Sequence, residues 1–421
     1  MSVYTLEQPM LRDQPPGRVA SIAQTSCVVV GGGPAGAVLA LLLARKGIAV
    51  TLLEAHNDFD REFRGDTLHP SVLEIIDQLG LADRLLEIPH TRLYEQAIET
   101  PQGRLVMGDF RRLKTRFPFI AMMPQSRFLE FITVEAARYP AFRLVMGARV
   151  EELIEEGGAV RGVRYRKGDS FHELRATLTV AADGRFSRVR KLAGMQPIQS
   201  APALDVVWFK LPRQAGDPDQ TVGRVSQRRV VILVNRLDYW QGGFVIAKGE
   251  FQQMRQAGLP ALRESIAAAL PEVADRVETL RSWNQISLLS VEAGRLPEWY
   301  RRGLLLIGDA AHTMSPVGGF GINMAIQDAV EAANFLTEPL RAGHVELEDL
   351  RAVQRVREWP TKFIQGYQAK RQRRMMRSLG DTSKPFKIPL IMRLLIRVPY
   401  IRDLSAHLTA FGVGRARIRN P

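Results

Sequence analysis

The stretch Val28–His56, VVVGGGPAGAVLALLLARKGIAVTLLEAH, decides the fold. With Cys27 it opens as CVVV, an apolar run of the kind that forms a strand buried on both faces. Gly31, Gly33 and Gly36 then fall in the spacing G-x-G-x-x-G. A helix is expected from Pro34 to Lys46, with Pro34 and Ala35 in its first turn, where proline costs no hydrogen bond. IAVTLLE reads as a second strand ending in Glu54. The first glycine permits the tight turn, the second lets backbone approach a pyrophosphate, and the third lets helix and strand pack closely. The phosphates meet the positive end of the helix dipole, and Glu54 is placed to accept hydrogen bonds from a ribose. The motif serves FAD and NAD equally well.

Composition bounds what else the chain can be. Its 421 residues, 46% hydrophobic and 24% charged, can bury a real core. The single cysteine, Cys27, excludes an internal disulfide or dithiol centre. No Cys/His grouping has zinc spacing, so no metal is expected. Redox chemistry, if present, falls to an organic cofactor. The first 26 residues lack the apolar core of a signal peptide. Cys27–Ala44 is uncharged and long enough to resemble a membrane span, but four glycines and a proline interrupt it, so a cytoplasmic protein is expected.

Two later stretches carry a second and a third signature. VAADGRFSRVRKLAG, from Val180, runs from strand to Asp-Gly turn to helix, with Asp183, Gly184, Ser187 and Arg190 in the pattern D-G-x-x-S-x-x-R. LLLIGDAAHTMSPVGGFGINMAIQDA, Leu304–Ala329, begins as a buried strand and ends as a helix. Asp309 projects at the strand end, where a ribityl chain would cross. Pro316 and the run Gly318, Gly319, Gly321 make a loop with little side chain. The helix starts near Gly321-Ile322-Asn323, with free N–H groups facing that loop. A flat ring pressed against backbone needs such a surface, and a helix N-terminus stabilises the negative charge a flavin gains at its N1–C2 edge on reduction.

The trio GGGPAG, ADGRFSRVR and GDAAHTMSPVGGFGIN resembles the class A flavoprotein monooxygenases, the para-hydroxybenzoate hydroxylase family, and most closely its ubiquinone-biosynthesis and polyketide aromatic hydroxylase branch. The resemblance covers residues 25–340 in motif order. It implies bound FAD, NAD(P)H as electron donor, and hydroxylation of an aromatic or phenol-like substrate by molecular oxygen through a flavin hydroperoxide. It also implies cofactor contacts at Arg64 in FRGDTLHPSVL, where the usual glycines are only partly present, and at Gln125 in MPQSRFLEFI, with Arg127 beside it. The cofactor set is then Gly31, Gly33, Pro34, Ala35, Gly36, Glu54, Arg64, Gln125, Asp183, Asp309, Pro316, Gly321, Ile322 and Asn323. No catalytic acid or base is assigned. His312 and Pro316 are the candidates, and a hydrogen-bonded structural role is the plainer reading of His312. His69 reads as a helix start only. A reductase or halogenase on the same scaffold is the competing enzyme class, although the halogenase W-x-W-x-I-P motif is absent. A membrane-docked, non-hydroxylating flavoprotein is the third reading.

The expected class is α/β: a Rossmann-type FAD-binding domain (25–196 and 281–340) after an N-terminal extension (1–24), a mixed-sheet substrate domain (197–280, joined by 90–115), and a basic helical C-terminal region (341–421). Trp208, Phe209, Tyr239, Trp240 and Phe244 either line a substrate pocket or form the core of that second sheet. The formal net charge is +14, and residues 361–421 hold 14 Lys and Arg against two acids. The tail has little aromatic interleaving, so nucleic acid is not expected. A helix is expected from Pro389 to Val398, stopped by Pro399. Its apolar face (Leu390, Ile391, Leu394, Leu395, Val398) stands apart from Arg393 and Arg397. That face either packs on the body or rests on anionic lipid, giving a peripheral membrane contact for a lipophilic substrate.

Overall fold

The computed structural model describes residues 19–60, 67–200, 204–218, 221–226, 229–380 and 398–420. Apolar, β-branched runs assemble first into an eight-stranded sheet. At its centre, parallel strands lie in the order Leu304–Leu306, Ser170–Ala181, Val19–Val30, Val50–Glu54, Phe142–Met146. Val28, Val29, Leu52, Leu53, Val180 and Leu305 are all nearly inaccessible, as strands covered on both faces require. The helix Pro34–Arg45 is buried along almost its whole length. It packs between Gln125–Ala136 and Phe320–Arg341, which explains why it is apolar all round.

The strand begins at Val19, so the expected boundary at residue 25 falls inside it. Its first half is mostly exposed and pairs with Phe171–Ala176, which hid it from an argument based on apolar runs.

The second sheet, called the roof below, has seven strands. Its order is Ile286–Leu289, Leu204–Pro212, Tyr239–Ala247, Arg229–Asn235, Val222–Ser226, Glu95–Thr100, Gly103–Asp109. The pairing is antiparallel except where Arg224 meets Glu99 in parallel, so the sheet is mixed. Ile286–Leu289, expected in the nucleotide domain, hydrogen-bonds along Leu204–Pro212 instead. One roof face packs on the helix Leu259–Ala269 and the following turns, burying Phe209, Trp240 and Phe244.

Beyond the helix Phe320–Arg341 runs a longer one, Leu347–Gly380. The amphipathic segment expected over 389–398 lies outside the described residues, apart from Val398, which is exposed. Pro399 starts a helix, Pro399–Phe411, at a first position that tolerates a missing N–H. Among the described residues no helix is long and apolar enough to cross a membrane. The uncharged Cys27–Ala44 run resolves into strand, turn and helix.

Candidate active site

The site is assembled at one edge of the parallel sheet. Val30 pairs with Ala181, and Ala181 with Leu306, so the three strands end level. The three signature loops leave from those ends and touch. Gly31 has φ +104°, and a Cβ there would lie 2.5 Å from the Ala182 carbonyl oxygen. A Cβ on Gly36 would lie 2.0 Å from the Gly31 oxygen. Gly308, at φ +59°, sits between Ala35 and Ala325. Close approach of loop to loop therefore fixes these glycines before any ligand is considered.

Glu54 ends the neighbouring strand and is buried. Its Oε2 accepts from Gly32 N at 2.8 Å and its Oε1 from His56 N at 3.0 Å, so the carboxylate also shapes the glycine loop. The helix behind that loop has Gly33 as N-cap, with no side chain capping it and Pro34 at its first position. Its leading N–H groups are left to whatever binds there.

Asp183 accepts from Ser187 Oγ at 2.5 Å and from Val189 N at 3.0 Å. Burial pushes its carboxyl above the ordinary carboxylate range, against these hydrogen bonds. Arg190 is half-buried. Its Nη1 donates to the Ala310 carbonyl at 2.8 Å and its Nη2 to the Arg185 carbonyl at 2.6 Å, tying the second signature to the third. Desolvation lowers its pKa, opposed by Asp183, Glu292 and Asp309.

His312 is turned inward. Its Nε2 donates to Asp328 Oδ2 at 2.5 Å, and the same oxygen accepts from Gly308 N at 3.0 Å. Asp328 Oδ1 accepts from Arg357 Nε at 2.8 Å, and Arg357 Nη1 reaches the Gly414 carbonyl at 3.1 Å. Burial alone would raise the Asp328 pKa, but His312 and Arg357 outweigh it and hold the carboxyl below its usual range. The His312 ring packs on Trp299, 4.8 Å between centroids. This arrangement uses His312 to fix the loop that carries Asp309.

The helix Phe320–Arg341 has Gly319 as an uncapped, left-handed N-cap at φ +66°. Pro316, Gly321 and Ile322 are half-buried around it. A Cβ on Gly321 would have nothing within 4 Å, so the space beside this turn is open. Asn323 is buried and its side chain is committed. Its Oδ1 accepts from His69 N at 2.8 Å, and its Nδ2 donates to the Gly319 and Thr67 carbonyls at 2.8 and 3.1 Å. Only its main chain remains for a cofactor. Gln125 opens its helix half-buried, whereas Arg127 is exposed and pairs with Glu130 at 3.1 Å. Arg64 lies outside the described residues.

Sequence reasoning missed the supports. Gln365 donates to the Gly294 and Thr313 carbonyls, Gln368 to those of Ser315 (2.9 Å) and Val317 (2.7 Å), and Gln372 to the Ser315 hydroxyl. The long helix thus holds the Pro316 loop by its own carbonyls. The signal available was glutamine at i, i+3 and i+7 on one helix face. His69 is likewise more than a helix start. It is buried, its Nδ1 donates to the Thr409 carbonyl at 2.7 Å, and burial lowers its pKa to about 4.

An uncapped helix start facing the glycine loop, a second facing open space at Gly321, and a buried carboxylate between strand ends make a cradle fitted to FAD. The comparisons agree. The profile of a family described as FAD binding domain matches residues 24–357. The chain is 37% identical over 401 residues to 6-methylpretetramide 4-monooxygenase of Streptomyces rimosus, covering 94% of this chain and 95% of that one. It is 29% identical over 314 residues to rifampicin monooxygenase of Streptomyces venezuelae, covering 72% and 62%. Among solved structures, the fold is that of PqsL, a probable FAD-dependent monooxygenase from Pseudomonas aeruginosa, with TM-score 0.71, 19% identity and 85% and 100% of the two chains covered. OxyS anhydrotetracycline hydroxylase from Streptomyces rimosus gives TM-score 0.72 at 22% identity, covering 92% and 76%. The chain therefore belongs to the FAD binding domain family, and within it to the FAD-dependent aromatic monooxygenases.

Proposed function

We propose that this chain hydroxylates a fused-ring phenolic substrate with NAD(P)H and molecular oxygen. The observation that carries the reading is the level ending of the three strands at Val30, Ala181 and Leu306, which gathers three flavin-type loops at one edge. The substrate class rests on the relative that shares nearly the whole length, whose name assigns it 6-methylpretetramide. When bound, FAD supplies electron acceptance and oxygen transfer. The chain supplies the rest. Main-chain N–H groups of Gly33, Ala35 and Gly36 would take the pyrophosphate, and Glu54 the adenosine ribose. Asp309 would meet the ribityl chain. The N–H groups of Gly321, Ile322 and Asn323 would face the pyrimidine edge and stabilise the charge it carries when reduced. Gln125, and Arg64 beyond the described residues, would complete the contacts. The roof would exclude water from the ring.

The test is to incubate the FAD-loaded protein with NADH or NADPH and a panel of fused-ring phenols under labelled dioxygen. Substrate-dependent NAD(P)H oxidation should yield a product heavier by one labelled oxygen atom. Flavin reduction that never gives labelled product sinks the hydroxylase reading.

Peripheral contact with anionic lipid is a second reading. It is favoured by the 14 basic residues after residue 360 and by the outward Tyr400 (75% exposed) and Leu404 (58%) on the last helix. Co-sedimentation with anionic but not neutral vesicles, abolished by high salt, would support it. Equal behaviour with both vesicle types would end it.

A further inference from the structure

The long helix Leu347–Gly380 has two unlike sides. At about 3.6 residues per turn, Leu350, Val353, Arg357, Ile364, Gln368 and Gln372 fall along one of them, and all are buried. That side holds Asp328 through Arg357 and the Pro316 loop through the glutamines. Along the opposite side run Arg355, Trp359, Lys362, Phe363, Lys370 and Arg373, all exposed. From Trp359 to Gly380 the sequence has six Lys and Arg and no Asp or Glu. Arg355 and Lys362 are offset by Glu348 at 3.3 Å and Glu358 at 2.8 Å. Among the described residues no carboxylate pairs with Lys370 or Arg373, and Arg373 Nε donates to the Ala369 carbonyl of its own helix at 3.4 Å.

Two large aromatic side chains face water on this basic side. Trp359 is 59% exposed and Phe363 41%, with ring centroids 5.7 Å apart. Of the five tryptophans, Trp359 alone is exposed. The helix cannot roll to hide it, because Pro360 is buried beneath Gly414, where a Cβ would lie 2.5 Å from the proline ring. Single exposed apolar residues are common and mean little. An aromatic pair flanked by cations on one rigid, convex element combines apolar surface with positive charge, which is the chemistry of a bilayer interface.

A second copy of this chain would set like charges face to face. A nucleic acid would need rings free to stack on bases, and these two are packed on each other. A plane of anionic headgroups suits both features: the rings lie among the headgroups and the cations meet the phosphates. A helix touches such a plane along its length, about 27 Å from Arg355 to Arg373 at 1.5 Å per residue. We propose that this outer side of the long helix docks the protein on an anionic bilayer, with Trp359 and Phe363 inserted and Lys370 and Arg373 on lipid phosphates. This rests on the lipid reading given above and gives it a location other than Tyr400 and Leu404. One element then has lipid on its outer side and the Ser315 and Val317 carbonyls of the flavin loop on its inner one.

The test uses the FAD-loaded full chain with vesicles of phosphatidylcholine, alone or mixed with phosphatidylglycerol. Binding is measured by co-sedimentation at low and high salt, and insertion by tryptophan emission. On anionic vesicles the wild-type emission should shift to the blue, and W359F should remove the shift while keeping most of the binding. W359S/F363S should bind roughly tenfold more weakly. K370Q/R373Q should lose a similar factor at low salt, a difference that vanishes at high salt. All these side chains are exposed, so unfolding midpoint and flavin content should stay at wild-type values and exclude a folding defect. Y400S/L404S should bind as wild type does. If wild type prefers anionic vesicles but shows no blue shift, or if W359S/F363S binds undiminished, this location is wrong and the lipid reading stands without it. If wild type treats both vesicles alike, the lipid reading itself fails and this inference with it.

Discussion

At the scale of single residues, the site separates glycines that shape the protein from one that leaves room. Gly31 and Gly36 have no space for a side chain, since a Cβ would meet carbonyl oxygens at 2.5 and 2.0 Å. Gly321 has space and ordinary helical backbone. Gly321→Val should therefore fold with an unfolding midpoint near wild type, within about 1 kcal/mol of propensity cost, yet retain FAD poorly or in a displaced position. Thermal unfolding of the apoprotein and flavin content after gel filtration check both halves. Intact flavin binding and hydroxylation would remove Gly321 from the cradle. His69 offers a pH signature. Burial holds its pKa near 4 in the folded chain, below the ordinary value of 6.5. Between those values the unfolded chain binds a proton that the folded chain does not, so stability falls as pH drops through the window. The loss from this group is about 2 kcal/mol between pH 7 and pH 5. Urea unfolding of wild type and His69→Asn at the two pH values should differ by that slope, and parallel slopes would contradict the assignment. The glycines were legible in the sequence because their need is local. His69 was not, because its partner, Thr409, is 340 residues away.

At the scale of elements, the sequence carried the parallel sheet and its loops, because strands buried on both faces appear as unbroken apolar runs. It carried the roof less well. The aromatic residues there sort by alternation into a helix-packed face and its opposite, but which parity faces which way depends on partners far along the chain. So Phe209, Trp240 and Phe244 are core on the helix-packed side, while Trp208 packs against the cluster on the other side, as Val317 does. The long helix was legible as a helix and illegible as a clamp. Polar residues on a helix usually face water, and only the position of the Pro316 loop shows what Gln365, Gln368 and Gln372 hold. Gln368→Ala would leave two loop carbonyls short of a donor, at Ser315 and Val317. The expected cost is about 1–3 kcal/mol, with faster flavin dissociation as the loop loosens. Denaturant unfolding and flavin-release kinetics measure these separately, and an unchanged release rate would mean the loop is held by its other contacts.

At the scale of the whole molecule, the C-terminal segment closes the structure onto its own site. Thr409 supplies the carbonyl that pairs with His69, and Gly414 the one that pairs with Arg357. Ala406 fits against Gly108 of the roof, where a Cβ would sit 3.2 Å from its backbone. Ala416 N and Ile418 N donate to Gln327 and Gln78. The basic excess of the tail is therefore laid over a segment that is also packed. Deleting residues 398–421 should strip a carbonyl partner from two buried side chains and open the Phe110 and Ile120 cluster that Ala410 and Phe411 complete. The expected loss exceeds about 3 kcal/mol, with FAD released because His69 and Arg357 both lie next to the loops that would hold it. Replacing Arg393 and Arg397 by glutamine, by contrast, removes charge alone and should leave stability and flavin content intact. The pair of variants separates packing from charge. If the truncated chain keeps its FAD and its unfolding midpoint, the segment is no brace, and its charge must be explained by what it meets outside the protein.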